Sequence, residues 1–291
     1  MGVMCLCVYE NVVFSQPNAW LLHYDGLGRL LQSRGPRLLK TEEERQVWRV
    51  ARYYIILSAG HQRKRCFLEQ PQWESKRSMP PGETPKKFDL LLDMFAQSPG
   101  IIEDYDKLRK VTFIDDCTRA AFRNRVQSLI DRIHAWFRDM PWTCTTDPAF
   151  LTNSQGQLPN DPMDCVSLAV CHAVLVCLIQ PCTCFQIDII PQHDHFKSNN
   201  EEPARTEYLA HEICRFSKWA LRNGDSASLA LLLIYPLQIA WYCLQGTPEK
   251  LNPVREIMDL GIADSHGFEL GRMRQWNESH LEQGRYGFMY R

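Results

Sequence analysis

The stretch from His23 to Trp73 constrains the fold most, because helix-breaking and helix-capping residues divide it into segments of fixed order. Gly35-Pro36 ends the first segment, since glycine supplies a left-handed cap and proline blocks continuation of a helix. Thr41 and Glu44 then have the spacing of a capping box, which opens a second helix. The stretch therefore predicts two consecutive helices with a sharp break between them.

The first of these helices is predicted to begin at Asn18, a plausible N-cap, and to run through Ser33. Its apolar positions keep helical spacing and are expected to face the core; they are Leu22, Leu27, Leu30 and Leu31.

The second helix is predicted to run from the capping box to about Arg65, with an inner face of Trp48, Ala51, Ile55 and Ala59. Arg52 lies next to that face. Because a buried guanidinium is costly without a partner, Arg52 is expected to pair with a carboxylate.

Helical patterns continue along nearly the whole chain, so the predicted fold is all-α, a large irregular domain of about eight to ten helices. The further predicted helices are 86–96, a long and kinked 98–139, a central buried 164–180, 207–222, 226–243 and 253–260, with a short turn over 269–275. Within the non-helical stretch 181–203, Phe185 to Ile190 has a strand-like pattern.

A chain of 291 residues is at the upper limit of what one hydrophobic core organises. Residues 1–291 are therefore interpreted as one helical domain, or as two docked halves. The loop 143–162, rich in Gly, Pro, Asn, Ser and Thr, is the candidate boundary between such halves.

The charge balance argues against a nucleic-acid-binding or membrane protein. The net charge is −1 and the pI about 6.7, whereas a free-standing DNA-binding domain usually has a basic face. The apolar run from Leu229 to Leu244 contains Pro236 and is shorter than the roughly 20 residues of a bilayer span. The 12 cysteines, in a chain whose Met1–Val8 segment lacks secretory features, predict free thiols in a reducing compartment.

No metal ion or other cofactor is predicted. Successive thiols at Cys165, Cys171 and Cys177 diverge around a helix and cannot converge on one ion. The weak metal candidates are His193 and His195, which would point the same way in an extended segment. The alternative is that both belong to a polar surface loop.

No catalytic residue is predicted, and the chain is not expected to be an enzyme. The sequence lacks a Gly-x-Ser-x-Gly motif and a glycine-rich phosphate loop. The basic cluster His61-Gln-Arg-Lys-Arg65 leaves two interpretations open: favourable cations in the last turn of the second helix, or a phosphate-contacting or nuclear-localisation patch. The capping role is the favoured one.

The residues of the His23–Trp73 stretch also resemble a known family in their order. The matching residues are His23, Gly26, Leu27, Leu30, Leu31, Arg34, Gly35, Pro36, Arg52, Phe67, Leu68, Pro71 and Trp73, and Pro236 in the apolar helix near the C-terminal end fits as well. This region resembles the regulatory helical region C-terminal to the zinc cluster of fungal zinc-cluster transcription factors. The motifs are structural rather than catalytic. We therefore expect Gly26 to allow close approach of two helices and Trp73 to cover the end of the second.

The resemblance implies a transcription-regulatory domain, found in the nucleus or in both nucleus and cytoplasm. It would act through protein partners of the transcription machinery or related factors, with a small-molecule effector as a further candidate, and without binding nucleic acid or membranes itself. Family members often regulate metabolic genes, including those of secondary metabolism. The six-cysteine zinc cluster of the family is missing from this sequence. The alternative is a cytosolic helical protein that binds a small molecule or catalyses an unknown reaction.

Overall fold

The structure is a computed structural model that describes residues 2–15, 19–36, 39–140, 158–189, 202–224, 227–245 and 248–272. These residues are helical nearly throughout and include no β-strand, which confirms the predicted all-α class. The α-helices are α1 (Gly2–Val13), α2 (Ala19–Arg34), α3 (Glu42–His61), α4 (Lys87–Phe95), α5 (Ser98–Leu108), α6 (Asp116–Arg138), α7 (Pro162–Cys184), α8 (Glu202–Asn223), α9 (Ala227–Cys243) and α10 (Pro248–Glu256). Short 3₁₀ turns cover Phe67–Glu69, Pro71–Trp73, Ser75–Ser78 and Glu269–Gly271, and a π-helix covers Ile257–Asp264.

The chain divides into two compact units, one made of Met1–Leu129 with Gly267–Arg291 and the other of Ile130–His266. The division falls inside α6. The boundary predicted from sequence, 143–162, lies for the most part outside the described residues and stays a prediction.

In the first unit, α3 is the central element. It packs against α2, α4 and α5, and α1 packs against α2 and the turn Glu269–Gly271. Two buried arginines of α3 join it to α4: Arg49 donates two hydrogen bonds of 2.8 Å to Asp89, and Arg52 pairs with Asp93. The carboxylate partner predicted for Arg52 is thus confirmed.

Local signals at the start of α3 and the end of α2 behave as the sequence predicts. The Glu44 amide donates to the Thr41 hydroxyl over 3.2 Å, and the Glu44 carboxylate accepts from the Thr41 amide over 3.3 Å. Gly35 has a φ of 73°, the left-handed cap expected there. Asn18, the predicted N-cap of α2, lies outside the described residues, and α3 ends at His61 rather than near Arg65.

The predicted buried stripe of α2 is partly wrong. Leu22 is 73% exposed and Leu30 is 44% exposed. The buried residues of α2 are instead Trp20, Tyr24, Leu27 and Gly28, which also keep helical spacing. The aromatic face prevails because the ring of Tyr24 stacks on that of Tyr54 in α3, with centroids 4.4 Å apart.

Three further sequence predictions are corrected. The predicted long helix 98–139 is two helices, α5 and α6, separated by residues 109–115, where Val111 is 51% exposed and Phe113 is 83% exposed. Residues 185–189 form no strand. Pro181 does not end α7, because a proline inside a helix removes one hydrogen bond while keeping a helical φ, and the helix continues through the buried Cys182 to Cys184.

In the second unit, α7 is the core helix and packs against α8 and α9, which also pack against each other. By length and composition α7 could cross a bilayer, yet 94% of its most apolar window is buried inside the structure. The prediction of a central buried helix at 164–180 is confirmed. Pro236 is buried within α9, which continues past it to Cys243.

Gly35 and Gly26 lie in the same segment, and replacing each by alanine should have opposite effects on stability. Replacing Gly35 by Ala should lower the free energy of unfolding by about 1 kcal/mol, because a φ of 73° is unfavourable for a residue with a Cβ. Replacing Gly26 by Ala should instead raise it by up to about 1 kcal/mol, since a Cβ there meets nothing within 4 Å and alanine favours the helix. Urea unfolding followed by circular dichroism measures both, and equal effects of the two substitutions would contradict the assignment.

Candidate functional site

The first unit contains a cleft between α2, α3 and the turn Phe67–Glu69, which we call the α2–α3 cleft. Its volume is about 420 Å³. That size lies within the range of about 300–1,000 Å³ typical of small-molecule pockets. It is lined by Tyr24, Asp25, Gly28, Arg29, Gln32, Ile55, Ser58, Ala59, Gln62, Lys64, Arg65, Cys66, Phe67, Glu69 and Gln70.

The floor of the cleft exists because α2 has a glycine where it faces α3. A Cβ added at Gly28 would lie 3.5 Å from a ring carbon of Phe67 and 3.6 Å from a side-chain carbon of Ile55, which is ordinary van der Waals contact. Any larger side chain at this position would extend into the cleft. Gly28, together with Ile55 and Phe67, therefore forms a largely apolar floor.

The far wall is made by the chain reversal after α3. Arg63 has a φ of 52°, a left-handed conformation, and its guanidinium donates to the two carboxylate oxygens of Asp106 over 2.6 and 2.7 Å. The turn is thus fixed by an ion pair to α5. It returns residues 64–70 beside α2, which places Lys64 and Phe67 at the cleft.

The rim of the cleft carries charges of both signs, most of them paired. Arg29 donates to Asp25 over 2.6 Å on α2. Arg65 donates to Glu69 and, over 2.7 Å, to Asp104. The carboxylates that line the cleft are therefore already compensated by arginines.

The favoured interpretation of the basic cluster, cations in the last turn of the second helix, holds for only one of its members. Because α3 ends at His61, that histidine is in the last turn, whereas Arg63, Lys64 and Arg65 follow it. Arg63 and Arg65 are instead ion-paired to carboxylates of α5, and Lys64 is exposed at the rim of the cleft.

Several family-motif residues come together around this cleft. Phe67 lines it, and the buried ring of Trp73 meets Phe67 edge to face with centroids 5.0 Å apart. Leu27 and Leu68 are buried and are the chain neighbours of the lining residues Gly28 and Phe67, and Arg52 is buried in the network with Asp93.

The remaining motif residues lie elsewhere. His23 has its Nε2 3.6 Å from an oxygen of the buried Glu10, and Leu31 is half-buried. The exposed residues of the motif are Leu30, Arg34, Pro36 and Pro71, of which Pro71 begins a 3₁₀ turn.

Two motif roles inferred from sequence need correction. Gly26 is not a close-approach position, because a Cβ there would meet nothing within 4 Å; the glycine that faces α3 is Gly28. Trp73 packs on Trp48, with centroids 6.0 Å apart. It therefore covers the first half of α3 rather than its end.

The buried thiols do not have the low pKa that a nucleophilic cysteine requires. Burial raises the pKa of Cys7 and of Cys66 to about 12, and it does the same for Cys171 and Cys214 in the second unit. Thiols in such surroundings stay protonated and act as small apolar side chains.

The metal candidates His193 and His195 lie outside the described residues. Among the residues that the structure describes, no group of three or more His, Cys, Asp or Glu side chains could hold a metal ion.

His61, at the end of α3, gives the first unit a pH dependence. Burial lowers the pKa of its imidazole from 6.5 to about 4. The ring packs edge to face on Trp20, with the two centroids 5.0 Å apart. The unfolded chain therefore takes up a proton near pH 6.5 that the folded chain accepts only near pH 4, so stability falls as the pH falls between these values. Between pH 7 and pH 5 this amounts to about 2 kcal/mol.

Replacing His61 by Gln should remove that part of the pH dependence. Urea unfolding of both proteins at pH 7 and at pH 5 isolates the contribution, because every other titrating group is shared. The same loss of stability in both proteins would show that His61 does not cause it.

Comparison with known proteins shows a similarity to the uncharacterized protein AN5342 of Emericella nidulans. The two are 34% identical over 74 residues, which are 25% of this chain and 16% of that protein. This chain thus spans a small fraction of its relative's length. No family model and no solved structure matches the chain, so the family resemblance stays a prediction.

Proposed function

We propose that this chain is the transcription-regulatory helical domain of a fungal zinc-cluster-type factor, which responds to a small-molecule effector bound in the α2–α3 cleft and acts through protein contacts. The observation that carries the proposal is the position of the cleft. Phe67 of the family motif lines it, and Trp73 holds the ring of Phe67 in place. A residue matched for a packing role, Phe67, therefore also lines a cavity of small-molecule size.

The cleft offers a simple mechanism of response. One wall is α2 and the other is the segment that follows α3, so a ligand that touches both favours one spacing of the two walls. Any partner surface that depends on the position of α2 is then coupled to the ligand. The turn at Arg63 is tied to α5 by Asp106, so in this proposal the ligand acts on the position of α2.

The transcriptional part of the proposal rests on the resemblance over His23–Trp73 and on the similarity to a fungal protein. These 291 residues contain no six-cysteine cluster, so the proposed activity of the domain is regulation by contact rather than reading of DNA. Its proposed location is the nucleus, or nucleus and cytoplasm.

A reporter assay tests this proposal. We expect the full chain, fused to a heterologous DNA-binding domain in a fungal host, to activate or repress a reporter gene. A fusion with Gly28→Leu should give a level of reporter expression different from that of the parent fusion, because its cleft is filled. The matched Gly26→Leu fusion should give the same level as the parent. A reporter that none of the three fusions changes, at equal protein levels, counts against a regulatory role.

The same cleft also favours a second candidate, a helical small-molecule-binding protein or enzyme that has no role in transcription. The two candidate functions predict different results in the reporter and ligand-binding experiments. Ligand binding that Gly28→Leu abolishes, together with a silent reporter, would support this second candidate.

A further inference from the structure

The chemistry of the α2–α3 cleft narrows the class of ligand that it would hold, an inference that rests on the proposed function. Its floor presents the half-buried ring of Phe67 and the branched side chain of Ile55 beside the bare backbone of Gly28, while the ring of Tyr24 lies fully buried beneath, stacked on Tyr54. Aromatic rings pack favourably on other flat apolar groups. The floor therefore fits the flat apolar body of a small molecule.

The rim adds one available positive charge. Arg29 is paired with Asp25, and Arg65 is shared by Glu69 and Asp104. Lys64, by contrast, is exposed at the cleft and forms no ion pair with any residue in the described part of the chain. Its ammonium group can therefore hold an anionic group of a ligand.

Three amide side chains complete the rim, namely Gln32, Gln62 and Gln70. The amide of Gln62 also donates to the buried Ser58 hydroxyl over 3.3 Å, which ties it to the wall of the cleft. Amides both donate and accept hydrogen bonds, so they suit a ligand with one or two neutral polar groups besides its charge.

We propose that the α2–α3 cleft binds a small aromatic organic acid, with its ring over Gly28 against Phe67 and its carboxylate at Lys64. A single available cation matches one carboxylate, whereas a polyphosphate is usually held by several backbone amides and cations. The volume of about 420 Å³ suits a ligand of one or two fused rings.

Two fluorescent probes test this assignment on the full chain. Anilinonaphthalenesulfonate carries an aromatic body and one negative charge, and phenylnaphthylamine has a similar body without the charge. We expect the anionic probe to bind the parent chain about tenfold more tightly than the neutral one. Equal dissociation constants for the two probes would overturn the acid class.

Four variants locate the binding. Gly28→Leu fills the cleft and should weaken binding of the anionic probe by about tenfold or more, while Gly26→Leu, on the open side of the same helix, should leave it unchanged. Lys64→Met should weaken binding of the anionic probe alone, while Lys40→Met, at an exposed lysine outside the cleft lining, should weaken neither. Undiminished binding to Gly28→Leu, with an unchanged circular dichroism spectrum, would place the probe elsewhere and overturn the proposal.

Failure of this inference and failure of the proposed function give different results. A reporter that responds to the fused chain, combined with no cleft-dependent probe binding, would retain a regulatory role and reject the ligand class. Cleft-dependent binding of the anionic probe with a silent reporter would retain the ligand class and reject the transcriptional role.

Discussion

Replacing Arg52 by Met is expected to lower the free energy of unfolding by about 3–5 kcal/mol. The side chain of Arg52 is 1% exposed; it donates to the Ser75 hydroxyl over 2.6 Å and pairs with Asp93. The side chain of Asp93 is 9% exposed, and its carboxylate accepts from the backbone amide of Ser75 over 3.1 Å. Removing the guanidinium leaves that carboxylate without its compensating charge in a site of low dielectric constant, which is the main cost.

The urea midpoint of unfolding, followed by circular dichroism, measures this effect. Arg29→Met is the matched control, because it removes an arginine from the exposed pair with Asp25 and should change stability by no more than about 0.5 kcal/mol. The double variant Arg52→Met with Asp93→Asn should be more stable than Arg52→Met alone, since Asn keeps an oxygen for Ser75 without the charge. Similar losses at Arg52 and Arg29 would show that the buried network contributes little.

Replacing Trp73 by Ala is expected to cost about 3–5 kcal/mol. The indole is 3% exposed and lies between two rings, with centroids 5.0 Å from Phe67 and 6.0 Å from Trp48. Truncation would leave a cavity that two large rings border and that the surrounding helices cannot fill without moving. Because Phe67 also lines the α2–α3 cleft, loss of its partner should weaken probe binding there too.

Phe113→Ala is the control for this prediction, since it removes a large aromatic side chain that is 83% exposed. It should change the free energy of unfolding by less than about 0.5 kcal/mol. The contrast is measured by the same urea unfolding as above. If both truncations cost less than about 1 kcal/mol, Trp73 would not have the packing role that its burial indicates.

What could be predicted from the sequence is mostly local. The capping box of Thr41 and Glu44 forms within one helical turn, and Gly35 adopts the one conformation that glycine tolerates best, so neighbouring residues suffice to specify them. The partner of Arg52 was predictable as a class, because a buried guanidinium requires an anion. Its identity, Asp93, was not, since it depends on how α4 lies against α3.

What could not be predicted depends on contacts between distant segments. Two stripes on α2 have helical spacing, and the choice between them is made by the stack of Tyr24 on Tyr54. The same choice turns Gly28 rather than Gly26 toward α3 and so creates the cleft. The return of the chain after α3 follows from the ion pair of Arg63 with Asp106, which lies 43 residues later in the chain, on α5.

Because many of the cysteines are buried, the rate at which each thiol reacts reports how often its surroundings unfold. Cys7 and Cys66 are buried in the first unit, and Cys171 and Cys214 are buried in the second, while Cys5, Cys117 and Cys184 are exposed. An alkylating reagent should therefore modify the exposed thiols at once and each buried thiol only as fast as its surroundings unfold. Mass spectrometry of the labelled peptides would then time the local opening of each unit separately, without any engineered probe.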